Sequence, residues 1–138
     1  MAVHQTHLEI STGGARLYDV TAEVGAEVRR SGVHTGIASV YCPHTSSSLV
    51  LMENASPDAQ RDLQRFLEQL VPADGRYEHD LEGPDDMPAH IKMALTRSSE
   101  NLPVADGRLA LGTWQGLFVW EHRASPHRRT LSLTVIGE

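Results

Sequence analysis

At 138 residues, with 12 Lys and Arg against 18 Asp and Glu, the chain carries a formal charge of −6 and a single cysteine, Cys42. An acidic excess spread along the chain excludes the concentrated positive field that nucleic-acid backbones require, and one thiol excludes an intrachain disulfide framework or a paired-cysteine zinc motif. The longest aliphatic run, residues 49–52, is far too short to span a bilayer, and MAVHQTHLEI lacks a cationic-then-apolar leader, so we expect a soluble, cytoplasmic protein with one domain over residues 1–138.

His4 to Ile10 and Ala15 to Val20 read as two strands joined at the Ser11–Gly14 turn. Thr21 is placed to cap a helix over residues 22–30 that stops at Ser31-Gly32. Residues 33–41, rich in β-branched and small side chains, form the next expected strand. After Cys42-Pro43 a further strand carries His44, Thr45, Ser46, Ser47 and Ser48. Ser56-Pro57 opens a second helix, in which Ala59, Leu63, Phe66, Leu67 and Leu70 recur at helical spacing and predict one buried face. Val71-Pro72 ends it, residues 73–86 read as an acidic loop, and Pro88 opens a third helix running to about Arg97. Short strands follow over 102–105, 108–112, 116–122 and 129–136, with a turn at Asp106-Gly107. The class is α+β, with a mixed or mainly antiparallel sheet and about three helices.

Among eight histidines, His44, His79 and His90 stand out because each falls at an element boundary beside other polar groups. Neutral imidazoles are common ligands of zinc and similar divalent metals, and three that leave a coordination position open would make a catalytic centre. Their spacing is long and has none of the local specificity of an H-E-x-x-H helix. Asp80, Asp85 and Asp86 flank the second and third histidines, with Asp86 also next to a helix-capping position, and Glu53 follows the hydroxyl-rich strand. Strand alternation sends Ser46 and Ser48 to one face and Ser47 to the other, and no G-x-S-x-G elbow is present, which argues against serine nucleophilic catalysis. Cys42 has no adjacent cation to depress its pKa and reads as a small buried side chain. Lys92, Arg108, Arg128 and Arg129 are candidate phosphate partners, or simply soluble strand and helix ends. Gly112, Gly116 and the Gly13-Gly14 pair lack Walker or dinucleotide spacing, so no nucleotide cofactor is expected. Trp114 and Trp120 read as core or interface residues, and Gln115 between Trp114 and Gly116 offers an amide to a substrate or a histidine.

Taken in order, HTSSSL (44–49), EN (53–54), YEHD (77–80), DDMPAHIK (85–92), GRLALGTWQG (107–116), EHR (121–123) and RR (128–129) closely resemble the YjbQ family, also called UPF0047. The resemblance implies a compact α+β domain assembled as a homotrimer, with a secondary thiamine-phosphate synthase activity that joins a pyrimidine diphosphate to a thiazole phosphate. It also implies a phosphorylated small-molecule ligand and a divalent metal, zinc or magnesium, at His44, His79 and His90. Thr45, Glu53, Gln115 and Glu121 take catalytic positions on this reading. Ser46, Asn54, Lys92 and Arg129 take substrate and phosphate positions, and Asp86 is a further recurrent polar site. Met52, Arg97, Glu100-Asn101 and a shortened 123–128 loop depart from the family pattern. Two alternatives stay open: metal-assisted hydrolysis with Glu53 or Glu121 as base, and a non-enzymatic trimeric module binding a metal or small anion.

Overall fold

Alternating side chains set the position of the first strand. In the computed structural model, which describes residues 1–138, β1 (Ala2–Thr12) turns its even-numbered residues inward from His4 onward and pairs over its whole length with the last strand, β8 (His127–Gly137). Between them lie β2 (Arg16–Asp19), α1 (Thr21–Ser31), β3 (Gly36–Tyr41), β4 (Ser47–Glu53), α2 (Pro57–Leu70), α3 (Asp86–Leu95), β5 (Ser99–Ala105), β6 (Arg108–Leu109) and β7 (Gln115–Glu121). All strand pairs are antiparallel, in a five-stranded sheet of order β1-β8-β3-β5-β6 and a three-stranded sheet of order β2-β7-β4. The expected α+β class with three helices is what forms.

Strand β7 organises the layers because both of its faces are buried. Leu117 and Val119 join Leu49, Val40, Leu102, Leu131, Leu133, Val24 and Val28 in the main core. Phe118 and Trp120 point the other way and meet Leu17, Leu67 and Val71. A strand buried on both faces reads as a continuous apolar run, which is what GLFVW provides. At the end of β7, Glu121 shares a buried network with Thr12 at the end of β1 and Arg129 near the start of β8.

Several boundaries differ from expectation for local chemical reasons. Thr21 does not cap α1. The carboxylate of Asp19 accepts the Thr21 N–H at 2.9 Å, and the Thr21 hydroxyl accepts the Leu117 N–H at 2.9 Å. Ser56 makes no side-chain cap; Glu53 Oε2 accepts the N–H groups of Ala55 (3.1 Å) and Ser56 (2.9 Å) instead. Helix α3 begins at Asp86, a residue pair before Pro88, and ends at Leu95, while β5 begins at Ser99. Only a narrow stripe of α2 is covered: Leu67 is buried, whereas Phe66 and Leu70 are 62% and 57% exposed. They lie about 60–100° round the helix from Leu67, beyond the reach of β7. Trp120 is core, but Trp114 is 65% exposed.

Candidate metal centre

Two features bring the chemistry of α3 together. Asp86 and His90 are four residues apart, so their side chains lie on one face of the helix, and the preceding loop returns His79 to the same place. The Nε2 atoms of His79 and His90 lie 2.8 Å and 3.1 Å from Asp86 Oδ2, and the three ligand atoms lie within 4.8 Å of one another. The ring centroids of the two histidines are 5.4 Å apart. Asp86 is 1% exposed, the His90 side chain 27% and the His79 side chain 49%, so the group is rooted in protein on one side and open on the other.

The orientation of His90 is fixed by its second nitrogen. Nδ1–H donates to the Thr45 carbonyl at 2.6 Å, which aims Nε2 at a carboxylate oxygen. An imidazole nitrogen and a carboxylate oxygen 3.1 Å apart are joined by a cation, either a second proton on the imidazole or a metal ion. A backbone carbonyl that pins the distal ring nitrogen is the usual support of a metal-bound histidine. Asp86 Oδ1 is occupied separately, by Arg123 Nη1 at 2.8 Å. Burial acts to raise the Asp86 pKa, but the hydrogen bond from His79 and the charge interactions with His90 and Arg123 outweigh it, so the carboxyl sits below its ordinary range.

Two hollows open beside this group. One, of about 440 Å³, is lined by Thr45, His79, Met87, His90 and Met93. Its neighbour, of about 480 Å³, shares His79 and Met87 and is walled by the 73–84 loop, including Arg76 and Tyr77.

The metal set read from the sequence changes in one member. His44 is not in the cluster: its Nε2 accepts the Thr130 N–H of β8 at 2.9 Å. Strand β3 ends at Tyr41, opposite Ser132, and Pro43 has no N–H to continue the ladder, so the imidazole takes up the β8 edge where the strand stops. Burial, followed by the charge of Arg129, lowers the His44 pKa. Asp86 stands beside His79 and His90 in its place. The spacing signal for this was the Asp86–His90 pair across Pro88, which helical geometry makes a single face.

The remaining predicted residues fall into two groups. At the near end of β4, opposite Glu121, Arg129 donates through Nε to Glu121 Oε1 at 2.7 Å, again to Oε2, and through Nη2 to Ser46 Oγ at 2.9 Å. Glu121 also accepts the Thr12 hydroxyl at 2.6 Å, and its pKa is lowered: burial works upward, but the bonds from Arg129 and Thr12 prevail. Arg129 is 5% exposed, with Nε and Nη2 committed to Glu121 and Ser46. Lys92 is 8% exposed and lines neither hollow, and burial lowers its pKa. At the far end of β4, Glu53 is opposite Gln115, six residues from Ser47, about 20 Å along the strand. There the Asn54 side chain donates to the Gln115 carbonyl at 3.2 Å, and Gln115 Oε1 accepts the Gly112 N–H at 2.9 Å. Glu53, Asn54 and Gln115 thus order a turn within this chain, away from the histidine cluster. Ser46, which alternation put with Ser48, turns to Arg129 because it precedes the strand. Ser48 accepts the Thr96 hydroxyl at 2.6 Å and lies 2.8 Å from His122 Nε2. That serine–histidine contact has nucleophile–base spacing, yet Ser48 is 0% and His122 2% exposed, so it is framework.

Residues 6–138 match the family model described as UPF0047 protein YjbQ-like. The chain belongs to the YjbQ/UPF0047 family. Among YjbQ relatives, UPF0047 protein sll1880 of Synechocystis sp. is 53% identical over 136 residues, covering 98% of this chain and 92% of that protein. UPF0047 protein YjbQ of Escherichia coli O157:H7 is 40% identical, with 98% and 99% covered. The crystal structure of an uncharacterised conserved YjbQ/UPF0047 protein from Clostridium acetobutylicum, 37% identical, aligns with a TM-score of 0.85 over 96% of this chain and 99% of that one. A YbjQ-like protein of unknown function from Sulfolobus solfataricus P2, 23% identical, shares the fold, with a TM-score of 0.87 over 99% and 100% of the two chains.

Proposed function

We propose that the chain holds one divalent metal at His79, Asp86 and His90 and acts on a small phosphorylated substrate seated in the adjoining hollows. The observation that carries this reading is the convergence of His79 Nε2 and His90 Nε2 on Asp86 Oδ2, with His90 held in place by its Nδ1–H bond to the Thr45 carbonyl. Two imidazoles and one carboxylate with an open side form a catalytic-type ligand set, and zinc suits its nitrogen content better than magnesium. Bound there, the metal would supply Lewis-acid neutralisation of phosphate oxygens.

This is the demand of the thiamine-phosphate synthase reaction, in which pyrophosphate must leave a pyrimidine fragment as the thiazole phosphate joins it. Met87 and Met93 offer an apolar, open seat beside Thr45, and Arg76, which makes no ion pair, is the guanidinium facing the adjoining hollow. Arg129 and Lys92 are buried and line neither hollow. Neither of the bases named for hydrolysis reaches this centre: Glu121 is 0% exposed, and Glu53 is about 20 Å along β4.

The homotrimer belongs to the same proposal. Val3, Ile136, Ile37 and Pro103 are in register across β1, β8, β3 and β5, and Val3, Ile37 and Ile136 are 62%, 49% and 39% exposed. Such an apolar row across four strands on the bare face of a sheet is the kind of surface that a copy of the same chain covers.

The test of the reaction is formation of thiamine phosphate from the two half-substrates by metal-loaded protein. Activity abolished by chelation and by Asp86→Asn supports the reading. No product at high enzyme concentration, with metal bound, contradicts the synthase assignment.

A further inference from the structure

Arg123, which follows β7, has a side chain only 16% exposed, and its guanidinium bonds all go to one short segment. Nε donates to Asp85 Oδ2 at 3.2 Å, Nη1 to Asp86 Oδ1 at 2.8 Å, and Nη2 to the Glu82 carbonyl at 3.0 Å. The Ala124 N–H also donates to Asp85 Oδ2, at 2.7 Å, and the Arg123 N–H is held by Glu121 Oε2 at 3.1 Å. The guanidinium is thus fixed at both ends, with its planar fork spread over residues 82–86. Its effect on Asp86 is asymmetric: Oδ1 is taken by Arg123, while both imidazole nitrogens converge on Oδ2.

We propose that Arg123 is a positioning residue that presents Asp86 as a one-oxygen ligand and thereby makes the centre reject calcium. The inference rests on the metal reading above. Calcium takes six to eight oxygen ligands and commonly uses both oxygens of a carboxylate, whereas zinc-like ions are content with few ligands and favour imidazole. With Oδ1 occupied, the chain offers two nitrogens and a single oxygen. A lysine at position 123 keeps the charge but has a point-like ammonium that cannot span three acceptors in a plane. Arg123→Lys therefore separates charge from geometry.

The test uses the full-length protein and Co(II) as a spectroscopic probe, titrated alone and against calcium, with thermal unfolding of each variant as the check on folding. In the wild type, we expect the visible absorption of low-coordinate Co(II) and no loss of it at a hundredfold excess of calcium. In both Arg123→Lys and Arg123→Gln, the Co(II) dissociation constant rises about tenfold to a hundredfold, the usual cost of losing a ligand's outer support. The absorption band weakens as coordination number rises, and preference over calcium falls at least about tenfold. Displacement of Co(II) by calcium in the wild type overturns the proposal without recourse to any variant. Wild-type spectrum and selectivity in a folded Arg123→Lys overturns the role of Arg123 alone. No Co(II) binding by the wild type overturns the metal reading and this inference with it.

Discussion

Arg129 and Glu121 form a two-armed ion pair between the sheets, with Nε to Oε1 at 2.7 Å and the side chains 6% and 0% exposed. The pair joins the ends of β7 and β8, and through Thr12 the end of β1. Removing one partner leaves a buried charge without compensation. Glu121→Gln is expected to destabilise the fold by about 3–5 kcal/mol, lowering the melting temperature by on the order of 10 °C. Replacing the pair together, as Glu121→Leu with Arg129→Met, removes the unpaired charge and recovers part of that loss, the remainder being the acceptor lost to Thr12 and to the His122 and Arg123 N–H groups. Calorimetry of the two variants checks this; a mild single variant would show that the pair carries little.

His122 gives the acid limb of stability. Burial, then the charge of Lys92, pushes its pKa from 6.5 down to about 3. The unfolded chain binds a proton on this imidazole near pH 6.5 and the folded chain only near 3, so between those values the unfolded state holds more protons. Stability from this group is complete above about pH 7, falls as pH drops from 6.5 to 3, and changes no further below. At about 1.4 kcal/mol per pH unit for one proton, urea unfolding of the wild type should lose about 2–3 kcal/mol more between pH 6.5 and 4.5 than His122→Gln does. Parallel pH profiles for the two proteins would remove His122 from the account.

The apolar row across the five-stranded sheet predicts the assembly. A charge at its centre, Ile37→Glu, must face Ile136 and Pro103 in its own chain and a desolvated surface in a trimer. Sedimentation equilibrium should give three chains for the wild type and one for the variant. A trimeric variant places the contact elsewhere.

How much of this was legible in the sequence depended on the range of the forces involved. Strands β1, β7 and β8 were readable because alternation and apolar runs are local signals, and the Ser56-Pro57 helix start was placed correctly although Ser56 makes no side-chain cap and Glu53 instead holds the Ala55 and Ser56 amides just before the helix. The burial of Phe66 and Leu70 was misjudged because periodicity gives a helix face but not the width of what covers it. His79 and His90 were picked out by their polar neighbours, and they do meet. His44 was grouped with them on the same grounds, yet it is used to finish the β8 edge after Pro43, a role set by strand register between residues 86 positions apart. Glu53 and Gln115 were grouped with Glu121 by motif order, and β4–β7 pairing puts them at opposite ends of one ladder. Arg123 enters the sequence reading only as the end of the EHR motif, without a role, because its meaning lies in three acceptors some forty residues earlier.

The central claim is that His79, Asp86 and His90 hold a metal. Elemental analysis of protein purified without chelator, followed by anomalous scattering at the absorption edge of the metal found, tests it most directly. We predict one transition-metal ion per chain, located by all three side chains and absent in Asp86→Asn. A metal-free protein that binds neither zinc nor cobalt on addition, with His90 carrying a second proton opposite Asp86, would contradict it.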